Sequence, residues 1–221
     1  MQTAACIFDL DGVIVDTARY HFMAWKRLAD QLDIKFTEED NERLKGVSRM
    51  ASLEIILSLG DIKPDETEKI RYATLKNDWY VEYISRMTPE EILPGSMAFI
   101  KELRDAKIRI AIGSASKNTP MILERVGIRK MFDAVADGNN VSKAKPDPEV
   151  FIKAAEMLSV DPGRSVVFED AVAGVQAALN AGMMCIGIGS ANILNEAHFV
   201  VAGLYEMNLE KLLTIGNNIR L

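Results

Sequence analysis

No apolar stretch in this sequence approaches the roughly 18 uninterrupted residues of a transmembrane helix. The first residues also lack the basic start, apolar segment and cleavage site of a secretory signal. The expected compartment is the cytoplasm, with no membrane partner. A basic block is missing too: 26 Lys and Arg against 32 Asp and Glu leave a net charge of −6. Nucleic acid is therefore not an expected partner, and any bound anion must be met by locally placed groups. Cysteine is scarce. Cys6 and Cys185 both sit in strand-like apolar runs without metal spacing, so both are expected as reduced core residues. There is no internal repeat and no low-complexity segment. With 48% hydrophobic and 26% charged residues over 221 positions, the chain reads as an ordinary globular protein with a sizeable core, the methionines mostly filling it.

The stretch around which the rest is arranged is AACIFDLDGVIVDT, residues 4 to 17. An apolar run of the kind that forms a parallel strand buried on both faces stops on Asp9, and a second acid follows at Asp11. In extended chain, side chains two apart point the same way, so both acids would project from the strand end, with Gly12 turning the backbone away. Ligands of open α/β sheets bind beyond such ends. An acid pair also caps helices, and the pair alone leaves both readings open.

Beyond Thr17 the period changes to 3.6, with Phe22, Trp25, Leu28, Ala29 and Leu32 on one stripe. Thr37 to Asp40 looks like a helix start, Ser48 or Arg49 opens a helix through Leu59, and Lys63-Pro64-Asp65 introduces one reaching about Ser85. No strand is evident from 18 to 92, which predicts an all-helical insertion, closed by the break at Ile92-Leu93-Pro94-Gly95. Helices at 96–106, 119–127, 148–158 and 171–181 then alternate with strands at 108–113, 134–137, 165–169 and 184–188, and a short last strand covers 198–202. This alternation predicts a doubly wound, Rossmann-like parallel sheet. The expected division is a core of residues 1–15 plus 94–221 and an inserted helical domain of 16–93.

Three further strand-end features matter. The strand ending at Gly113 runs into Ser114-Ala115-Ser116, whose hydroxyls and N–H groups could hold a phosphate at the helix start. A second acid pair, Glu169-Asp170, ends another strand, and Lys145 stands before Pro146. Each alone has a bland reading: a cap, a solvated helix start, a surface loop. Together, one sheet edge would gather four carboxylates, a lysine and a hydroxyl turn, and such carboxylates cannot all stay ionised without a cation among them. Hard oxygen ligands suit one Mg²⁺. The expected ligands are the Asp9 carboxylate, the Asp11 main-chain carbonyl and Asp170, with Glu169 close behind. Asp9 could then attack phosphorus, and Asp11 could serve as general acid and base.

In this order, DLDGVIVDT, the Ser114 turn, Lys145-Pro146 and FED ending at Asp170 resemble the four motifs of the haloacid dehalogenase superfamily, and the helical insertion resembles its C1-type cap. The likeness narrows to the superfamily's β-phosphoglucomutases through TARYHFMAWKRLA, LKGVSRMASL, LKNDWYV and SASKN. The resemblance implies a sugar-phosphate substrate and isomerisation of β-D-glucose 1-phosphate to glucose 6-phosphate through an aspartyl phosphate and a bisphosphate intermediate. It makes Asp9 the nucleophile and Asp11 the acid/base. Ser114, Ala115 and Lys145 would hold the transferring phosphate; Arg49, Ser116 and Asn118 the distal one; and His21, Gly46, Ser52 and Lys76 would orient the sugar or Asp11. The matching segments add Thr17, Trp25 and Lys45 to the binding set. The resemblance also implies a cis Lys145-Pro146 bond, and a monomer is expected. Ala171 departs from the serine common in relatives. A phosphatase on the same frame is the alternative reading; a noncatalytic sensor would be expected to have lost one of the acids.

Overall fold

The computed structural model describes residues 3–219. Its centre is a parallel sheet of six strands in the order β3-β2-β1-β4-β5-β6. These are β1 (Ala5–Phe8), β2 (Arg109–Gly113), β3 (Ala134–Ala136), β4 (Ser165–Glu169), β5 (Met184–Ile188) and β6 (Phe199–Val201). β1 lies in the middle, with Phe8 level with Ile112 of β2 and Phe168 of β4. Its four residues are buried and alternate: Cys6 and Phe8 enter one apolar cluster, Ala5 and Ile7 the other. Both faces are therefore covered, which is why the strand reads as a continuous apolar run. Phe8 stacks on Phe168 at 4.7 Å between centroids, and Phe99 meets both edge-on. The doubly wound class expected from the alternating pattern is borne out.

The core helices are α5 (Ser96–Asp105), α6 (Thr119–Arg125), α7 (Glu149–Leu158), α8 (Val172–Asn180) and α9 (Leu209–Ile219), and the insertion contributes α1 (Ala18–Gln31), α2 (Glu38–Glu42), α3 (Arg49–Leu59) and α4 (Glu66–Ile84). Local chemistry sets their starts. Thr37 and Asp40 form a reciprocal capping box, the Ser48 hydroxyl accepts from the Ala51 amide, and Asp65 accepts from the Glu68 amide. Trp25, Leu28, Leu53, Ile56, Leu57 and Tyr80 bury the facing stripes of α1, α3 and α4. The two connections between insertion and sheet run side by side: Val15 bridges Ile92, the Leu93 amide donates to Ile14 and the Asp16 amide to Glu91.

Two expectations need correction. β1 ends at Phe8, the chain bends at Leu10, and Gly12 takes φ +80°, so Asp9 and Asp11 do not share one extended segment. The helix α9 has no counterpart in the sequence reading. Its buried stripe is short, Leu212 and Ile215, and Gly216 and Asn217 are weak helix formers, while Asn208 caps it by accepting from the Lys211 amide. No helix of the described residues is long and apolar enough to cross a membrane.

Candidate active site

At the C-terminal edge of the sheet, between it and α1, α3 and α4, lies a cavity of about 510 Å³. Of the residues singled out in the sequence, Asp9, Asp11, His21, Trp25, Lys45, Gly46, Arg49, Ser52, Lys76, Ser114, Ala115, Ser116, Asn118, Lys145 and Asp170 line it. Thr17 and Glu169 lie behind the wall. Both are fully buried, and each reaches the cavity through a neighbour.

Lys145, buried after β3, places its Nζ 2.5 Å from Asp9 Oδ1 and 2.7 Å from Glu169 Oε2, and its bond to Pro146 is cis. Burial alone would push the Lys145 ammonium down, but Asp9 and Glu169 outweigh it and hold it above its ordinary value. One lysine does not balance the acids. Burial, with Asp9 adding to it against Lys145, raises Glu169 to about 7, and burial with Glu169 and Asp9 raises Asp170 well above its usual range. Asp9, Glu169 and Asp170 each present a carboxylate oxygen within 4.8 Å of the others. A buried group of hard oxygens with excess negative charge fits a small divalent cation. Two glycines give this cluster its room. A Cβ on Gly12 would lie 2.3 Å from Asp170 Oδ2, and one on Gly174 would meet Glu169 Cδ at 2.0 Å.

Asp11 faces the insertion rather than the lysine. The Thr17 hydroxyl donates to its Oδ1, while burial first and Asp9 second raise its carboxyl to about 6. Across the cavity, Lys76 lies 2.9 Å from His21 Nδ1 and 4.6 Å from the centroids of Trp25 and Tyr80. Burial, helped by Arg49, pulls Lys76 down to about 7. Burial and the two cations likewise keep His21 neutral. Arg49 is half-buried and makes no ion pair among the described residues.

In the turn after β2, the Ser114 hydroxyl oxygen accepts from the Ser116 amide and that of Ser116 accepts from the Asn118 amide, each at 3.2 Å. Acceptor duty leaves both hydroxyl protons free to donate to an anion. The following helix α6 has only seven residues, so the turn itself, rather than a helix terminus, offers the anion-binding groups. From the insertion, Gly46 at φ +72° rests on the core. A Cβ there would lie 2.8 Å from the Cβ of Ala171, the residue that departs from the expected serine. Lys45 approaches Asp170 to 4.0 Å.

Sequence reasoning missed Asn77, Tyr80 and Lys117, which also line the cavity. The Tyr80 hydroxyl is buried without a hydrogen-bond partner among the described residues. The available signal was adjacency: Asn77 follows Lys76, Tyr80 lies one turn further along α4, and Lys117 falls inside SASKN.

Comparison with known proteins agrees with this geometry. A β-phosphoglucomutase of Bacillus subtilis is 45% identical over 210 residues, covering 94% of this chain and 93% of that one. A phosphorylated carbohydrates phosphatase of Thermotoga maritima is 32% identical, covering 81% and 82%. The crystal structure of a β-phosphoglucomutase from Clostridium difficile superposes with a TM-score of 0.93 at 40% identity, over 99% of this chain and 98% of that one. The resemblance read from the four motifs is thus borne out. Since the model of the haloacid dehalogenase-like hydrolases matches residues 3–182, spanning the acid turn, the lysine and the second acid pair, the chain belongs to that family.

Proposed function

We propose that this chain interconverts β-D-glucose 1-phosphate and glucose 6-phosphate, carrying the phosphoryl group on Asp9. The observation that carries the reading is the pairing, across one cavity, of Asp9 on the core with Arg49 on the insertion, a half-buried guanidinium that forms no ion pair among the described residues. A planar guanidinium suits a phosphate that is held but not transferred. A phosphatase needs only one phosphate site; a mutase working through a bisphosphate needs two.

In this account the phosphorylated Asp9 meets the 6-hydroxyl of β-glucose 1-phosphate. The sugar O–P bond forms as the aspartyl O–P bond breaks, and the hydroxyl proton passes to Asp11. After the bisphosphate turns over, an Asp9 carboxylate oxygen attacks the phosphorus on C1, and Asp11 returns its proton to the departing sugar oxygen. Raised to about 6, Asp11 can both hold and release a proton near neutral pH. Lys145, Ser114 and the Ala115 amide hold the transferring phosphate, while Arg49, Ser116 and Asn118 hold the distal one. His21, Gly46, Ser52 and Lys76 orient the sugar or Asp11, Thr17 fixes the Asp11 carboxyl from behind, and Trp25 and Lys45 complete the wall. Mg²⁺ held by Asp9, Asp170 and the Asp11 carbonyl, with Glu169 beside them, would neutralise charge on the transferring phosphate.

Residues 16–93 act as a cap over the core of 1–15 and 94–221, hinged where residues 14–16 run beside 91–93. Cap closure excludes water, which would otherwise hydrolyse the phosphoenzyme. The cavity is lined by groups of a single chain, so a monomer would suffice as the working unit. The test is acid-stable labelling of the enzyme by radiolabelled bisphosphate. Wild type is expected to take up label and Asp9→Asn none; label retained by Asp9→Asn would place the nucleophile elsewhere.

A further inference from the structure

One bond links the cap to the phosphate turn through side chains alone. Asn118 Nδ2 donates to Asn77 Oδ1 at 3.1 Å, joining α6 of the core to α4 of the cap. Both residues line the cavity. Two features of the chain are otherwise hard to account for. Asparagine is among the preferred N-cap residues, and Asn118 occupies the N-cap of α6, yet its side chain makes no capping bond. The N2 residue of that helix is Pro120, which has no N–H to donate to a cap, and the carboxamide reaches across the cleft instead. Asn77 sits well inside the 19-residue helix α4, where asparagine is a weak helix former, immediately after the buried Lys76.

We infer that Asn77 is a positioning residue for the non-reacting phosphate: its side-chain carbonyl fixes the Asn118 carboxamide so that the amide, not the carbonyl, faces that phosphate. A carboxamide can rotate by a half turn with little change of shape, exchanging two donors for an acceptor. Toward a phosphate the two orientations are opposite in sign. With one N–H committed to the Asn77 oxygen, the nitrogen is held on the cleft side and its second N–H is available to the anion. The bond also makes the grip on the distal phosphate depend on where the cap stands, because its acceptor belongs to α4. The inference rests on the proposed distal role of Asn118.

Steady-state kinetics with glucose 1,6-bisphosphate as phosphoryl donor, alongside phosphorylation by acetyl phosphate, which has no second phosphate, test it. Asn77→Ala should raise the half-saturating concentration of the bisphosphate about three- to tenfold, as loss of one oriented hydrogen bond does. Phosphorylation by acetyl phosphate should change several-fold less. In an Asn118→Ala background, Asn77→Ala should add nothing, since its effect passes through Asn118. Additive losses, equal losses with both donors, or no effect of Asn77→Ala would overturn the inference while leaving the distal role of Asn118 intact. If Asn118→Ala alone leaves the bisphosphate requirement unchanged, the distal role itself fails and the inference falls with it.

Discussion

The ammonium of Lys145 stands between the carboxylates of Asp9 and Glu169, 2.5 Å from one and 2.7 Å from the other, with all three side chains buried. It ties β1, β4 and the segment before α7 into one charged unit. Removing one partner of such a unit leaves uncompensated buried charge, here three neighbouring acids once Asp170 is included. Lys145→Ala should therefore cost roughly 3–5 kcal/mol of stability in metal-free protein. Mg²⁺ should restore part of it, because a ligand bound only by the folded state stabilises by mass action. Denaturant melts with and without Mg²⁺ check this; a loss below about 1 kcal/mol, or one indifferent to Mg²⁺, would contradict the role given to the lysine.

Lys76 is the opposite case, a buried lysine without a carboxylate partner within ion-pair distance among the described residues, lowered from 10.5 to about 7 by burial and then Arg49. The unfolded chain takes up its proton below 10.5 while the folded protein resists until about 7, so stability falls as pH drops through that window. Lys76→Met, which keeps the length and removes the charge, should gain on the order of 1–4 kcal/mol at neutral pH and progressively less toward pH 10.5. Turnover should fall. Because Lys76 also lowers Asp11, the acid limb of the pH–rate profile should move upward from about 6. Thermal melts at neutral and alkaline pH, with a pH–rate profile, decide it. A variant less stable than wild type at neutral pH would show that the lysine is structurally satisfied.

Arg49→Ala should separate the two phosphate sites. Mutase turnover is expected to fall at least about 100-fold, in the range of losing a charge-assisted bidentate contact. Hydrolysis of a small activated phosphate ester should fall several-fold at most. Equal losses on both would remove the distal role.

Much of this arrangement was legible in the sequence because it rests on local rules. The caps at Thr37, Ser48 and Asp65 sit where their side chains satisfy helix amides, and the strand of Ala5 to Phe8 reads as apolar because helices cover both faces. The acid pair was read correctly as a strand-end feature, but not for the right reason. Asp9 and Asp11 are separated by a bend, and their carboxyls face different partners, Lys145 and Thr17. What stayed hidden depends on long-range approach. Gly174 looks like a weak residue inside a helix until Glu169 is seen against it. Asn77 looks like a solvated helix position until Asn118, 41 residues away, reaches its oxygen.

The most direct measurement is product analysis with the purified enzyme, Mg²⁺, β-glucose 1-phosphate and a trace of glucose 1,6-bisphosphate, with Asp9→Asn as control. Glucose 6-phosphate is expected in near-equal amount to substrate consumed, with little inorganic phosphate and no product from the variant. Inorganic phosphate and free glucose as the main products would contradict the mutase reading and make the chain a phosphatase.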